Sequence, residues 1–253
     1  MATFLAVHGA WAAGWFWTKM RPLLREQGHE LITPTCTGIG ERSHLSHRDV
    51  DLETHIQDIL NVLAFEDLTD VTLVGHSYGG MVATGVADRA PDRVAQLVYV
   101  DAFVPQSGES LLDLLPEAAR ARMLDAVRLN GDGWRVPPNP MPPDSSEADV
   151  AWAVPRRVMQ PLKTFERPIH LTGAFARLRR TYVYCTRTAA GDVFRPFAER
   201  ARSEAGWRYV ELDSSHNPHV TAPGALASLL DKLARDAAPT RQAVGSASPG
   251  AQD

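Results

Sequence analysis

The stretch "VTLVGHSYGGMVATGVAD", Val71 to Asp88, decides how the rest of the chain is read. Val71 to Gly75 is a short apolar run of strand length, and a helical pattern follows it. At the junction, Gly75-His76-Ser77-Tyr78-Gly79 matches G-x-S-x-G in the strand-to-helix setting that this motif requires. The turn is so sharp that a side chain at either glycine would strike the neighbouring strand or helix, and it presents the Ser77 hydroxyl above the sheet on a strained backbone. The competing reading is a Gly-rich turn whose serine merely caps a helix. The strand before and the helix after favour Ser77 as a nucleophile.

A serine hydroxyl attacks slowly at neutral pH unless a base takes its proton. Nine histidines compete for that role. The loop after the last apolar run, "ELDSSHNPH", offers His216 and His219, and His216 is preferred because it stands closer to the strand end. His44, His47 and His55, in a polar loop and on a helix, read as solvated. During attack negative charge builds on the carbonyl oxygen, and preorganised backbone N–H groups stabilise it. Tyr78, directly after the nucleophile, supplies one such group, and Ala10 in "VHGAW" supplies the other from the loop after the first strand. His8 reads as a brace for that loop.

Outward from this motif, apolar runs alternate with helical patterns. The strand candidates are residues 3–9, 30–36, 71–75, 94–100, 180–186 and 207–212. Leu52, Ile56, Ile59, Leu60 and Leu63 follow a 3.6 period between two of them. Strand and helix in alternation predict an α/β fold, a mostly parallel sheet with helices on both faces. Residues 105–175 break the pattern with "VPPNPMPPD" and scattered aromatics but no strand signal, which predicts a helical cap after the strand ending at Asp101. The core is then 1–104 with 176–236, and the small, polar residues 237–253 are expected to form a disordered tail.

Composition excludes several functions. The 253 residues are 44% hydrophobic and 22% charged, enough to bury a full core. A net charge of -4 argues against a nucleic-acid partner, so "VPRRVM" and "RLRR" read as solvated helix faces. No apolar segment is long enough to span a bilayer, and the start "MATFLAVHGAW" reads as a strand rather than a signal peptide. Cys36 and Cys185 give no disulfide framework, which favours a cytoplasmic setting, and no Cys/His cluster has zinc spacing. No metal or cofactor is expected, and the chain is read as a monomer or homodimer.

The motifs together resemble the α/β-hydrolase superfamily, in the branch of plant methyl-salicylate esterases, plant hydroxynitrile lyases and small bacterial carboxylesterases. The resemblance rests on "FLAVHGAW", "GWFWTKMRPLLREQGHELITPTCTGIGER", "VTLVGHSYGGMVATGVAD", "LVYVDAFVP" and "SSHNPHVTAP", covering about residues 3 to 236 and weakest in the cap. It implies a cofactor-free Ser-His-Asp site beneath a helical cap. The lyases of this branch carry a Lys directly after the catalytic His, where this chain has Asn217, so the resemblance implies hydrolysis rather than cyanohydrin chemistry.

The acid is where the pattern departs. In this branch it usually lies 28 residues before the His, which here is Thr188. Asp192, four residues on, precedes an amphipathic helix and so also reads as an N-cap. Asp101 ends the apolar run "AQLVYVDAFVP", and some relatives in the superfamily keep their acid at that strand tip. Carboxylates are almost never buried unpaired. Asp101 is therefore expected as the partner of His216, with Asp192 second.

For the pocket, Trp11 and Tyr78 should lie close to the substrate, with Phe103, Trp134, Trp152, Met159 and Phe165 lining it from the cap. No cationic pair stands out in the sequence, so the expected substrate is a neutral, apolar ester, carbamate or lactone. A lyase or acyltransferase on the same site, or a receptor that keeps the triad, are the alternatives.

Overall fold

The computed structural model describes residues 1–188 and 191–237. The elements in chain order are β1 (Thr3–Val7), α1 (Met20–Glu26), β2 (Glu30–Ile32), α2 (Leu52–Phe65), β3 (Val71–His76), α3 (Gly79–Arg89), β4 (Val94–Val100) and α4 (Glu117–Asn130). They continue with β5 (Arg135–Val136), α5 (Glu147–Ala153), β6 (Gln160–Pro161), α6 (Lys163–Glu166), β7 (Arg179–Cys185), α7 (Arg195–Ser203), β8 (Trp207–Leu212), α8 (Pro218–Thr221) and α9 (Pro223–Ala237).

Six strands form one sheet in the order β2-β1-β3-β4-β7-β8, and every pair is parallel. Burial on both faces explains their continuous apolar runs. Phe4 and Ala6 of β1, with Val74, Val98 and Val183, face Met20 and Leu24 of α1 and Leu226 and Leu230 of α9. The alternate residues Leu5, Val7, Leu73 and Tyr99 face Ile56 and Ile59 of α2, Val82 and Val86 of α3, and Phe197 of α7. The chain leaves β1 for β2 on one side and returns to β3 on the other, so the carboxyl ends of β1 and β3 flank a switch point, the usual site for a ligand in such sheets.

The strands are shorter than the sequence suggested at two places. β1 stops at Val7, leaving His8 and Gly9 to begin the loop, and β2 stops at Ile32. Pro34 has no N–H for the sheet, and the neighbouring Thr33 and Thr35 hydroxyls instead accept from Arg21 Nη2 (2.6 Å) and Gly14 N–H (3.0 Å). "RLRR" is no helix face either: Arg177 ends a short 3₁₀ turn, and Arg179 opens β7. Arg180 lies over the Trp207 ring at 4.6 Å.

Between β4 and β7 the chain forms α4, α5 and α6, together with an antiparallel ribbon of β5 and β6 that the sequence did not announce. Each ribbon strand has two residues, too short for any periodicity to show. Of the expected tail, Ala237 is the last residue of α9, and 238–253 lie outside the described residues. Among the described residues no helix is long and apolar enough to cross a membrane.

Candidate active site

Ser77 occupies the turn between β3 and α3 with φ +54°, a left-handed conformation that costs a non-glycine residue energy. The flanking glycines are required by contact. A Cβ at Gly75 would meet Gly79 O at 2.8 Å and Ala83 Cβ at 2.9 Å, and one at Gly79 would meet Val7 O at 2.4 Å. The strain is held by backbone pairing: Ser77 N–H donates to Val100 O (3.3 Å), and Ser77 O accepts from Phe103 N–H (3.2 Å). The hydroxyl is thereby fixed at the carboxyl edge of the sheet.

His216 lies on the loop between β8 and α8. Its Nε2 is 3.0 Å from Ser77 Oγ, and its Nδ1 is 2.7 Å from Asp101 Oδ2. A carboxylate at Nδ1 fixes the proton there and leaves Nε2 free to accept from the serine. Asp101 explains its own place at the end of an apolar strand. It is 3% exposed, adopts φ +44°, extends the ladder through its N–H to Val183 O (2.8 Å), and accepts from Cys185 N–H at Oδ1 (3.3 Å). Burial pushes its carboxyl above the usual range, and the hydrogen bond with His216 opposes that rise.

Asp192 is engaged elsewhere. Its Oδ2 accepts from Tyr184 O–H (2.6 Å) and its Oδ1 from Phe194 N–H (2.9 Å), so it ties down the approach to α7 rather than serving as its N-cap, which is Phe194. Phe194 then stacks on the His216 ring at 4.6 Å between centroids and 12° between planes. Nothing in the sequence marked Phe194, since an aromatic near a helix start is equally at home in a core. Thr188 lines the cavity beside this loop.

Further histidines support the arrangement. His76 Nε2 lies 2.7 Å from His216 O, and burial lowers its pKa well below the ordinary value, so the neutral ring donates there and anchors the His216 backbone. His55 corrects the sequence reading: it is fully buried, its Nε2 donates to Thr37 O (2.9 Å), and its Nδ1 accepts from Tyr78 O–H (2.8 Å). Burial brings it to about 4, which keeps it neutral. His8 braces the first loop, with Nδ1 donating to Gly9 O (2.9 Å) and Nε2 accepting from Cys36 N–H (3.1 Å). His219 is buried in α8 and stacked on Trp17 at 4.6 Å, and neither of its ring nitrogens has a hydrogen-bond partner among the described residues, Ser77 included. His44 and His47 are exposed.

Ala10 and Tyr78 line the same cavity as Ser77 and His216, and among the described residues neither N–H is taken by a protein acceptor. The loop that carries Ala10 is held by its neighbour. Trp11, with φ +61°, donates its N–H to Gln160 Oε1 (3.1 Å) and its Nε1–H to Val136 O (2.9 Å), and accepts from Val158 N–H (3.3 Å). All three partners lie on or beside the β5–β6 ribbon.

The cavity has a volume of about 600 Å³. Trp11, Tyr78, Phe103 and Phe165 line it as the sequence suggested, joined by Leu111, Leu115 and Met123 of the cap segment. Trp134, Trp152 and Met159 do not. Trp152 packs instead against Trp15 and Phe16 (ring centroids 5.0 and 5.9 Å), joining α5 to the loop after β1, and Trp134 O receives Leu162 N–H (2.8 Å) at the ribbon's end. The count of aromatics in a cap does not reveal which way each one faces. The cavity wall also contains Arg122, Arg157 and Arg187, cations that the sequence, in which no cationic pair stood out, had not pointed to. Arg157, read from "VPRRVM" as solvated, is half-buried over the Trp11 ring at 5.5 Å.

Residues 4–229 match the model of the alpha/beta hydrolase family. Among curated proteins, a carbendazim hydrolyzing esterase from Nocardioides sp. (strain SG-4G) is 40% identical over 92% of this chain and 100% of its own length. A pyrethroid hydrolase from Sphingobium wenxiniae is 26% identical over 97% of this chain and 92% of its own. Among solved structures, an extracellular alpha/beta-hydrolase from a Paenibacillus species, described as sharing structural and functional homology with tobacco salicylic acid binding protein 2, superposes with a TM-score of 0.79. It is 25% identical, with 92% of this chain and 98% of that one covered.

Proposed function

This chain belongs to the alpha/beta hydrolase family, and on that premise we propose that it is a serine esterase that cleaves largely apolar esters through an acyl-enzyme intermediate. The observation that carries the reading is the hydrogen-bonded line Ser77–His216–Asp101 at the floor of a cavity. His216 Nε2 takes the Ser77 proton as Oγ bonds to the ester carbonyl carbon, and Asp101 steadies the imidazolium that forms. The Ala10 and Tyr78 N–H groups receive the charge on the carbonyl oxygen. Collapse breaks the bond to the alcohol oxygen, which leaves with the proton from Nε2. Water, deprotonated by the same nitrogen, then attacks the acyl carbonyl carbon, the bond to Ser77 Oγ breaks, and Oγ takes the proton back from Nε2 as the carboxylic acid leaves.

A cavity of about 600 Å³ walled by Trp11, Phe103, Phe165 and leucines suits a compact, flat acid or alcohol. The name of one relative, a carbendazim hydrolyzing esterase, supports hydrolysis at such a site, and carbamates of flat aromatic amines fit the same chemistry because a carbamate carbonyl passes through the same tetrahedral intermediate. Asn217 in place of a lysine supports hydrolysis over cyanohydrin cleavage. The test is turnover of p-nitrophenyl acetate and butyrate by the wild type and by Ser77→Ala, with an organophosphonate to label the nucleophile. Loss of several orders of magnitude in the variant and labelling at Ser77 alone are expected, since triad members act as a unit. Full activity in Ser77→Ala would end the serine mechanism, and absence of turnover in the wild type would favour a receptor.

A further inference from the structure

We propose that Arg157 is a subsite for a carboxylate that the substrate carries away from the ester being cut. The inference rests on the esterase reading of the cavity and adds the chemistry of one wall. Arg157 lies over the Trp11 ring at 5.5 Å, its Nη1 donates to Asn139 O, and both Asn139 and Arg157 line the cavity that contains Ser77. A guanidinium has five N–H donors in a flat fork. Here the hydrogen bond found is to a neutral carbonyl, and burial pulls the group below its ordinary pKa with no carboxylate among the described residues to offset it.

Taking a charge partly out of water costs free energy unless a counter-charge meets it, and a planar carboxylate fits the fork by two parallel hydrogen bonds. The Arg157 Nη1 bond to Asn139 O and the Trp11 ring beneath Cζ hold the guanidinium at the cavity wall, and because Trp11 follows Ala10, the charge lies against the residue next to the N–H proposed to stabilise the oxyanion. The other two arginines of the wall are poorer candidates. Arg187 is engaged by Asp213 through Nε (2.8 Å) and Nη2 (2.9 Å), and Arg122 is exposed on α4, where water competes for its donors. The position of Arg157 thus reverses the sequence-based expectation that an anionic substrate is disfavoured.

The test is a ratio. The kcat/KM values of mono-p-nitrophenyl glutarate against p-nitrophenyl pentanoate, and of 3-carboxyphenyl acetate against phenyl acetate, place the carboxylate on the acyl or the alcohol side. For at least one pair the carboxylated-to-uncharged ratio is expected to fall about tenfold to a hundredfold in Arg157→Met, the range of a charge-assisted hydrogen bond. A fall of less than about tenfold in both pairs overturns the proposal, as does an equal or larger fall in Arg122→Met. Should Arg157→Met fail to fold, Arg157→Lys keeps the charge without the planar fork, and its ratio must drop at least about threefold or the subsite is wrong. Equilibrium binding of the same esters to Ser77→Ala, with and without the Arg157 substitution, reads the ratio without turnover. Hydrolysis persisting in Ser77→Ala would remove the serine mechanism while leaving that ratio intact, so the two failures are told apart.

Discussion

At the scale of single residues, two carboxylates compete to be the acid, and their surroundings assign them different tasks. Asp101 is 2.7 Å from His216 Nδ1, whereas Asp192 accepts from Tyr184 and from the backbone of Phe194, whose ring stacks on His216. Asp101→Asn leaves a side chain of the same shape but no negative charge beside the ring, and it can select the wrong tautomer. The expected loss in kcat is about a thousandfold or more, the scale seen when a triad base is misoriented. Asp192→Asn keeps an oxygen for Phe194 N–H and is expected to lower kcat by less than about tenfold, an effect transmitted through ring stacking. Measuring both with thermal unfolding separates a catalytic defect from a folding one, and the opposite ranking would move the acid to the loop after β7.

At the scale of elements, the site depends on a ribbon that had no sequence signature. Ser77, His216 and the Ala10 loop were legible because each stands at the end of a strand with a recognisable pattern, and the glycines around Ser77 are forced by backbone contacts of 2.4 to 2.9 Å. Gln160, His55, His76 and Phe194 were not, because their roles come from partners 18 to 149 positions away in sequence, or from a ring plane. Gln160 is fully buried, accepts from Trp11 N–H, and donates through Nε2 to Thr164 Oγ1 (2.8 Å). Gln160→Leu would strand the Trp11 N–H, at a cost of about 1–3 kcal/mol. It would also free the Ala10 loop to shift. The expected signature is kcat lowered about tenfold or more with KM changed far less, because the N–H of that loop is proposed to act on the transition state. A change confined to stability, or to KM, would mean that the ribbon only supports the wall.

At the scale of the whole molecule, four histidines are buried in neutral form, and their sum sets how the fold responds to acid. Burial is the largest cause of a lowered pKa at His8, His55, His76 and His219, reaching about 4 for His55 and about 3 for His219. Above the ordinary value of 6.5 these rings are neutral whether the chain is folded or not, so they leave stability independent of pH there. As pH falls through 6.5 the unfolded chain takes up protons that the folded one refuses, and the difference grows until the folded pKa is reached. Each histidine in that window removes up to about 1.4 kcal/mol per pH unit. Carboxylates with lowered values, such as Asp88, act in the same direction only near and below 3.8, while Asp101, raised by burial, acts in the opposite direction. In the interval from 6.5 down to about 5 the four histidines outnumber that one opposing carboxyl and set the sign of the change. A steep fall in Tm is expected across it, with a nearly flat Tm above, and His55→Gln should make the slope shallower even where it lowers Tm at neutral pH by disturbing Tyr78. A Tm that holds constant from neutral pH to about 5 would show that these rings take up protons inside the folded chain, and that the neutral network around Ser77 has been misassigned.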